Sequence, residues 1–146
     1  MTHAPMRQLI DAFVAELPAG AASIIEGVDE SDNTYFEVCP RNPGAAKIRA
    51  LNEDSSEYCL AIGRGTIFDV TVGLAKKGGF SSKVAEEHVL EICRAVAKGK
   101  FVEKVSVVLG ADLCVYGRID LSSRVVRLCN GLPLVPWWRT IRYSSY

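Results

Sequence analysis

Short-spaced metal ligands are missing from this chain: it has two histidines and five cysteines, and no two cysteines fall within the spacing of about two to four residues that clips a zinc ion. A metal site is therefore not expected. Cys39, Cys59, Cys93, Cys114 and Cys129 lie in separate segments, and an odd number of cysteines without paired spacings is a poor disulfide framework, so they read as free thiols of a reducing compartment. Net charge is also missing, because 17 basic residues balance 17 acidic ones, and nucleic acid is disfavoured as a partner on that ground. No stretch approaches the roughly 20 apolar residues of a membrane span. The opening "MTHAPMRQLIDAFVAELPAG" has no basic residues followed by an apolar run, which is how a secretory signal would start. The expectation is a cytoplasmic protein with no membrane partner. No internal repeat, low-complexity tract or linker divides the 146 residues, so a single domain over 1–146 is expected.

One absence is local. After Asp120 there is no carboxylate side chain, yet four arginines follow, Arg124, Arg127, Arg139 and Arg142. Between Glu26 and Glu57, in contrast, acids outnumber bases. Either the two regions meet and neutralise each other, or the arginines form a basic face for an acidic partner.

Two segments show a helical period. In "PMRQLIDAFVAEL", Met6, Leu9, Ile10, Phe13, Val14 and Leu17 recur on one face, Pro5 suits a first turn, and Pro18 with Gly20 ends the run. In "SSKVAEEHVLEICRAVAKG", Ala85, Val89, Ile92, Cys93 and Val96 form an apolar stripe, His88 sits at its edge, and Gly99 follows the last turn. Between these helices, "SIIEGV", "TYFEVC", "KIRAL", "EYCLAI" and "TIFDVTV" are rich in β-branched and aromatic residues. The separators "DESDN", "PRNPG", "NEDSS" and "GRG" are turn formers, and connections this short demand antiparallel neighbours. After the second helix, "KVSVVL" and "LCVYGRIDL" alternate around "GAD", and "RVVRLC" joins "LPLV" through Asn130-Gly131, a strong hairpin signal. Val105, Val107, Leu109, Leu113, Val115, Ile119 and Leu121 are expected on buried faces. The fold class is α+β: a predominantly antiparallel meander or curved sheet packed against an N-terminal helix and a second central helix.

No segment carries a P-loop, a dinucleotide fingerprint or a nucleophile motif, and no cofactor is expected. Glycines before the second helix, in "KKGGFSSK", offer an alternative anion site built from Lys76, Lys77, Gly78, Gly79 and Ser81, although a plain sheet-to-helix connection with a normal cap is the favoured reading. Alternation places Tyr35, Glu37, Lys47, Arg49, Cys59 and Asp69 on the outer face of the first sheet. A symmetric "PRNPG" turn would set Glu37 opposite Lys47 and Tyr35 opposite Arg49, as a ladder of cross-strand pairs. In "PWWRTIRY", a strand would send Trp137, Arg139, Ile141 and Tyr143 to one side and Trp138, Thr140 and Arg142 to the other, with one tryptophan closing the core.

These features suggest a non-enzymatic bacterial interaction module, of adaptor, chaperone-like or inhibitor type, whose partner is another protein. The candidate binding residues are Tyr35, Glu37, Lys47, Arg49, Trp138, Arg139 and Arg142. The alternative is a small-molecule-binding domain or enzyme with a pocket between sheet and helix near Tyr58, His88 and Tyr116. An uncovered edge strand at the C-terminal end could also pair with its copy in a homodimer.

Overall fold

A computed structural model describes residues 5–54, 57–71, 82–108, 111–121, 124–131 and 138–146. Helix α1 (Met6–Glu16) leads into five strands, β1 (Ala22–Val28), β2 (Thr34–Pro40), β3 (Ile48–Asp54), β4 (Glu57–Ile62) and β5 (Thr66–Thr71). Helix α2 (Ser82–Ala97) is followed by β6 (Phe101–Val108), β7 (Ala111–Asp120), β8 (Val125–Gly131) and β9 (Arg139–Arg142). The fold is α+β with two antiparallel sheets. The first runs β1-β2-β3-β4-β5, the meander expected from its turn residues; the second has the order β8-β7-β6-β9.

Helix α1 starts at Pro5, whose carbonyl accepts from Gln8 and Leu9, without a side-chain cap. It stops where Leu17 turns extended before Pro18. Met6, Leu9, Ile10 and Phe13 are buried against the inner face of the first sheet, where Phe36, Val38, Ile48, Ala50, Leu60 and Ile62 alternate with outward residues. Helix α2 buries the expected stripe of Ala85, Val89, Ile92, Cys93 and Val96, and ends in a Schellman cap: Gly99 N–H bonds Val96 O and Lys100 N–H bonds Ala95 O. It packs on β5 and β7, so its apolar face closes the place where the two sheets meet.

Four expectations about the strands are corrected. Glu37 faces Arg49, not Lys47, and Tyr35 faces Leu51, a register two residues away from the symmetric turn. The cause lies in the loop: Asn42 Oδ1 accepts from Gly44 N–H, its side-chain amide donates to Ser145 O, and Ala45 pairs in parallel with Ser144. Docking the C-terminal tail lengthens the connection, and a slip of two keeps every side chain on its expected face. Cys59 stands on the expected row, opposite Leu51 and Asp69, but is buried there. Asn130 and Gly131 make no two-residue turn. They are the end of β8, paired with Val115 and Cys114, because the ten-residue β7 offers ladder partners that outweigh local turn preference. The strand start expected at Lys104 lies at Phe101.

Of the expected buried positions, Val105, Val115, Ile119 and Leu121 are buried; the side chains of Val107, Leu109 and Leu113 lie outside the described residues, as do "LPLV" and Trp137. Trp138 is 39% exposed. Two later aromatics pack against the core: Tyr143 stacks on Phe101, and Tyr146 sits edge-on to Phe13 while donating its hydroxyl to Ala46 O at 2.7 Å. No described helix is long and apolar enough to cross a membrane.

Candidate functional site

Inward and outward residues of the second sheet carry very different chemistry. Facing in, β6 presents Phe101, Glu103 and Val105, so alternation drives a carboxylate into the apolar layer. Glu103 is fully buried and satisfied. Its Oε1 accepts from Arg64 N–H at 2.8 Å and from the Tyr143 hydroxyl at 2.5 Å, and Oε2 accepts from the Thr66 hydroxyl at 2.8 Å. One carboxylate thus fastens the β4–β5 turn and the C-terminal tail to β6. Burial first, and then the hydrogen bond to Glu103, push the Tyr143 hydroxyl far above its ordinary range, which keeps it a donor.

Facing out, the same sheet is basic. Register aligns Arg127 of β8, Arg118 of β7, Val102 of β6 and Arg142 of β9 in one row, with Tyr116, Lys104 and Thr140 in the next. The first row spans three strand spacings, about 14 Å. With Asp120, these residues line a depression of about 430 Å³. Asp120 holds Arg118 at 3.0 Å. Among the described residues, Lys104, Arg127 and Arg142 have no carboxylate partner. Arg118 directly opposite Arg127 is a like-charge pair, unfavourable for the sheet by itself.

The first sheet's outer face settles its own charge. Glu37 bonds Arg49 at 2.8 Å and lies 3.7 Å from Lys47, and the Arg49 guanidinium sits 4.4 Å over the Tyr35 ring. Partial burial pushes the Glu37 carboxyl up, but Arg49, Cys39 and Lys47 together outweigh it and hold it below its usual range. The four sequence-chosen residues are thus brought together, beside a depression of about 390 Å³ that also includes Arg64 and the Gly63–Gly65 turn. Among the described side chains, the acid-rich region and the C-terminal arginines do not neutralise each other: Glu26 bonds Arg7, Glu37 bonds Arg49, and Arg124 packs against His88.

Arg142 lies on the basic face with Thr140, whereas Arg139 pairs with Val105 and projects to the other side of β9. Tyr58, His88 and Tyr116 are not brought together. Tyr58 is buried in the core, where burial pushes its hydroxyl up to about 12; His88 stands beside Phe68 and Arg124; Tyr116 faces out on the second sheet. The glycine-rich stretch with Lys76, Lys77, Gly78, Gly79 and Ser81 lies outside the described residues. No group of three or more potential ligands is placed to hold a metal among the described residues. The sequence reading passed over Glu103, Lys104 and Arg118, while Arg127 stood among the arginines of a possible basic face; the inward alternation of Phe101, Glu103 and Val105 was the available signal for the first.

His88 makes acid sensitivity testable. Burial and the Arg124 charge hold its imidazole below its ordinary value, with Glu91 pulling the other way. The neutral form is favoured in the fold, so this stability is present above the unfolded-state pKa and lost as pH falls through the folded one. Thermal melts from about pH 7.5 down to about pH 5 should therefore show a falling midpoint, with the drop reduced in His88→Gln. An equal drop in the variant would assign the sensitivity to other groups.

Comparison with protein-family models, curated proteins and solved structures gives no match for this chain.

Proposed function

We propose that this protein is a non-enzymatic interaction module that holds an acidic segment of another protein on the outer face of its second sheet. The supporting observation is the convergence of Lys104, Arg127 and Arg142, without carboxylate partners among the described residues, around an open depression. A folded protein gains nothing from placing Arg118 opposite Arg127, whereas a bound polyanion would turn that repulsion into attraction. Val102 and Tyr116 supply apolar and aromatic contact between the cations, the mixture common in protein interfaces. The face is an open antiparallel sheet, a shape suited to a polypeptide segment.

Fluorescence anisotropy with a labelled oligo-glutamate peptide tests this reading. Arg127→Glu and Arg142→Glu should each weaken binding about tenfold or more, roughly 1.4 kcal/mol, and added salt should weaken the native affinity. Arg139→Glu, on the other side of β9, should bind as the native chain does. Equal binding by all three variants would remove the face from the site, and tighter binding of a single-stranded oligonucleotide of equal charge would redirect the partner to nucleic acid.

A further inference from the structure

Each of the four sheet edges ends differently. β5 packs against β7 and β8, which shields the facing edges of both sheets, and the short β9 carries Arg139 and Arg142. β1 has few of the usual protections, its one charge being Glu26, which Arg7 neutralises. "ASIIEGV" contains no proline, lysine or arginine, its pairing with β2 is regular over all seven residues, and among the described residues β2 is its one strand partner. Ile25 at 53% and Val28 at 61% exposure are the most exposed large apolar side chains described, and both are on this strand. The Asp29 carboxylate, accepting from Ser31 and Asn33 N–H at 2.8 and 2.9 Å, ties down the turn that ends it.

We infer that β1 pairs antiparallel with β1 of a second copy about a two-fold axis through Ile25, joining the two first sheets into one of ten strands. The occupant is argued from self-complementarity. Centred on Ile25, the pairing uses all seven residues: Val28 covers Ala22 of the copy, Gly27 faces Ser23, Glu26 faces Ile24, and Ile25 meets itself. Centring on Glu26 would set the two carboxylates directly opposite, and centring on Ile24 would leave Val28 uncovered. In the favoured register each Glu26 is already neutralised by Arg7 of its own chain at 3.1 Å. The neighbouring face is flat enough to continue: a methyl on Gly27 would fall 2.5 Å from the Tyr35 ring, so that ring lies across Gly27, backed by Arg49, and borders Ser23 of the copy. This interface is independent of the basic face on the second sheet.

Sedimentation velocity together with cysteine cross-linking tests it. The native chain should sediment at twice the chain mass. Ile25→Lys, which puts two ammonium groups on the axis, should sediment as a monomer with an unchanged far-ultraviolet circular dichroism spectrum, and Arg127→Glu should remain dimeric. Ile25→Cys should form a covalent dimer on mild oxidation, because directly opposed Cα atoms lie about 4.5–5.5 Å apart, within the range of about 4.4–6.8 Å that a disulfide spans. Val28→Cys, more exposed but about 20 Å from its copy in this register, should not. A native chain that stays monomeric throughout the micromolar range, a dimeric Ile25→Lys, or equal cross-linking at positions 25 and 28 would each overturn the inference.

Discussion

Replacing Glu103 with alanine is expected to cost the fold about 3–5 kcal/mol, the range for removing one member of a buried charged network. Three donors converge on this carboxylate from different parts of the chain: Arg64 N–H in the β4–β5 turn, the Thr66 hydroxyl on β5 and the Tyr143 hydroxyl beyond β9. Alanine would leave all three without their acceptor in a layer where Glu103 itself has no exposure, and would add a cavity. The melting midpoint should fall by about 10 °C. Glu103→Gln keeps the shape and one good acceptor. The Thr66 hydroxyl can rotate to accept from the new amide, so the loss should be smaller, about 1–2 kcal/mol. Denaturant titrations of the two variants separate these cases. An alanine variant as stable as the glutamine one would mean that the three donors find other partners, and the carboxylate would lose its role as the fastener between sheets.

Gly63→Ala is expected to be nearly as damaging, roughly 2–4 kcal/mol, although it adds a single methyl group. Gly63 has φ of +65°, where a side chain is strained, and a methyl there would intrude on the Glu103 carboxylate and come within 2.8 Å of the Tyr143 hydroxyl. Since both terms act at one place, the damage depends on what Glu103 occupies. In Gly63→Ala/Glu103→Ala the carboxylate is gone and the methyl has room, so the double variant should lose less than the sum of the singles by about 1 kcal/mol or more. Strict additivity would show that backbone strain alone is responsible.

Period and turn chemistry carried the first half of the fold. α1, α2 and the five-strand meander follow from which residues alternate and from "DESDN" and "GRG", since these signals act over a few residues and need no distant partner. The Tyr35–Glu37–Lys47–Arg49 group was legible as outward residues for the same reason, whereas alternation put Arg139 and Arg142 on opposite sides of their strand without saying which side faces out. Asn130-Gly131 misled because ladder pairing with β7 outweighed a local preference. The expectation that one tryptophan closes the core now rests on Trp137, which lies outside the described residues; Trp138 is exposed, and Tyr143 and Tyr146 pack against the core, a burial that depends on where the tail docks.

By itself, then, the sequence determined the fold class, both helices with their buried stripes, the antiparallel pairing of neighbours in the first meander and the inward or outward row of its side chains, all consequences of local periodicity and short connections. Tertiary structure alone decided that β9 crosses to pair with β6, which brings Arg142 into one depression with Lys104, Arg118 and Arg127 and brings Tyr143 onto Glu103. Those residues are distant along the chain, and only long-range strand pairing, whose partners no local pattern specifies, gathers them on one sheet.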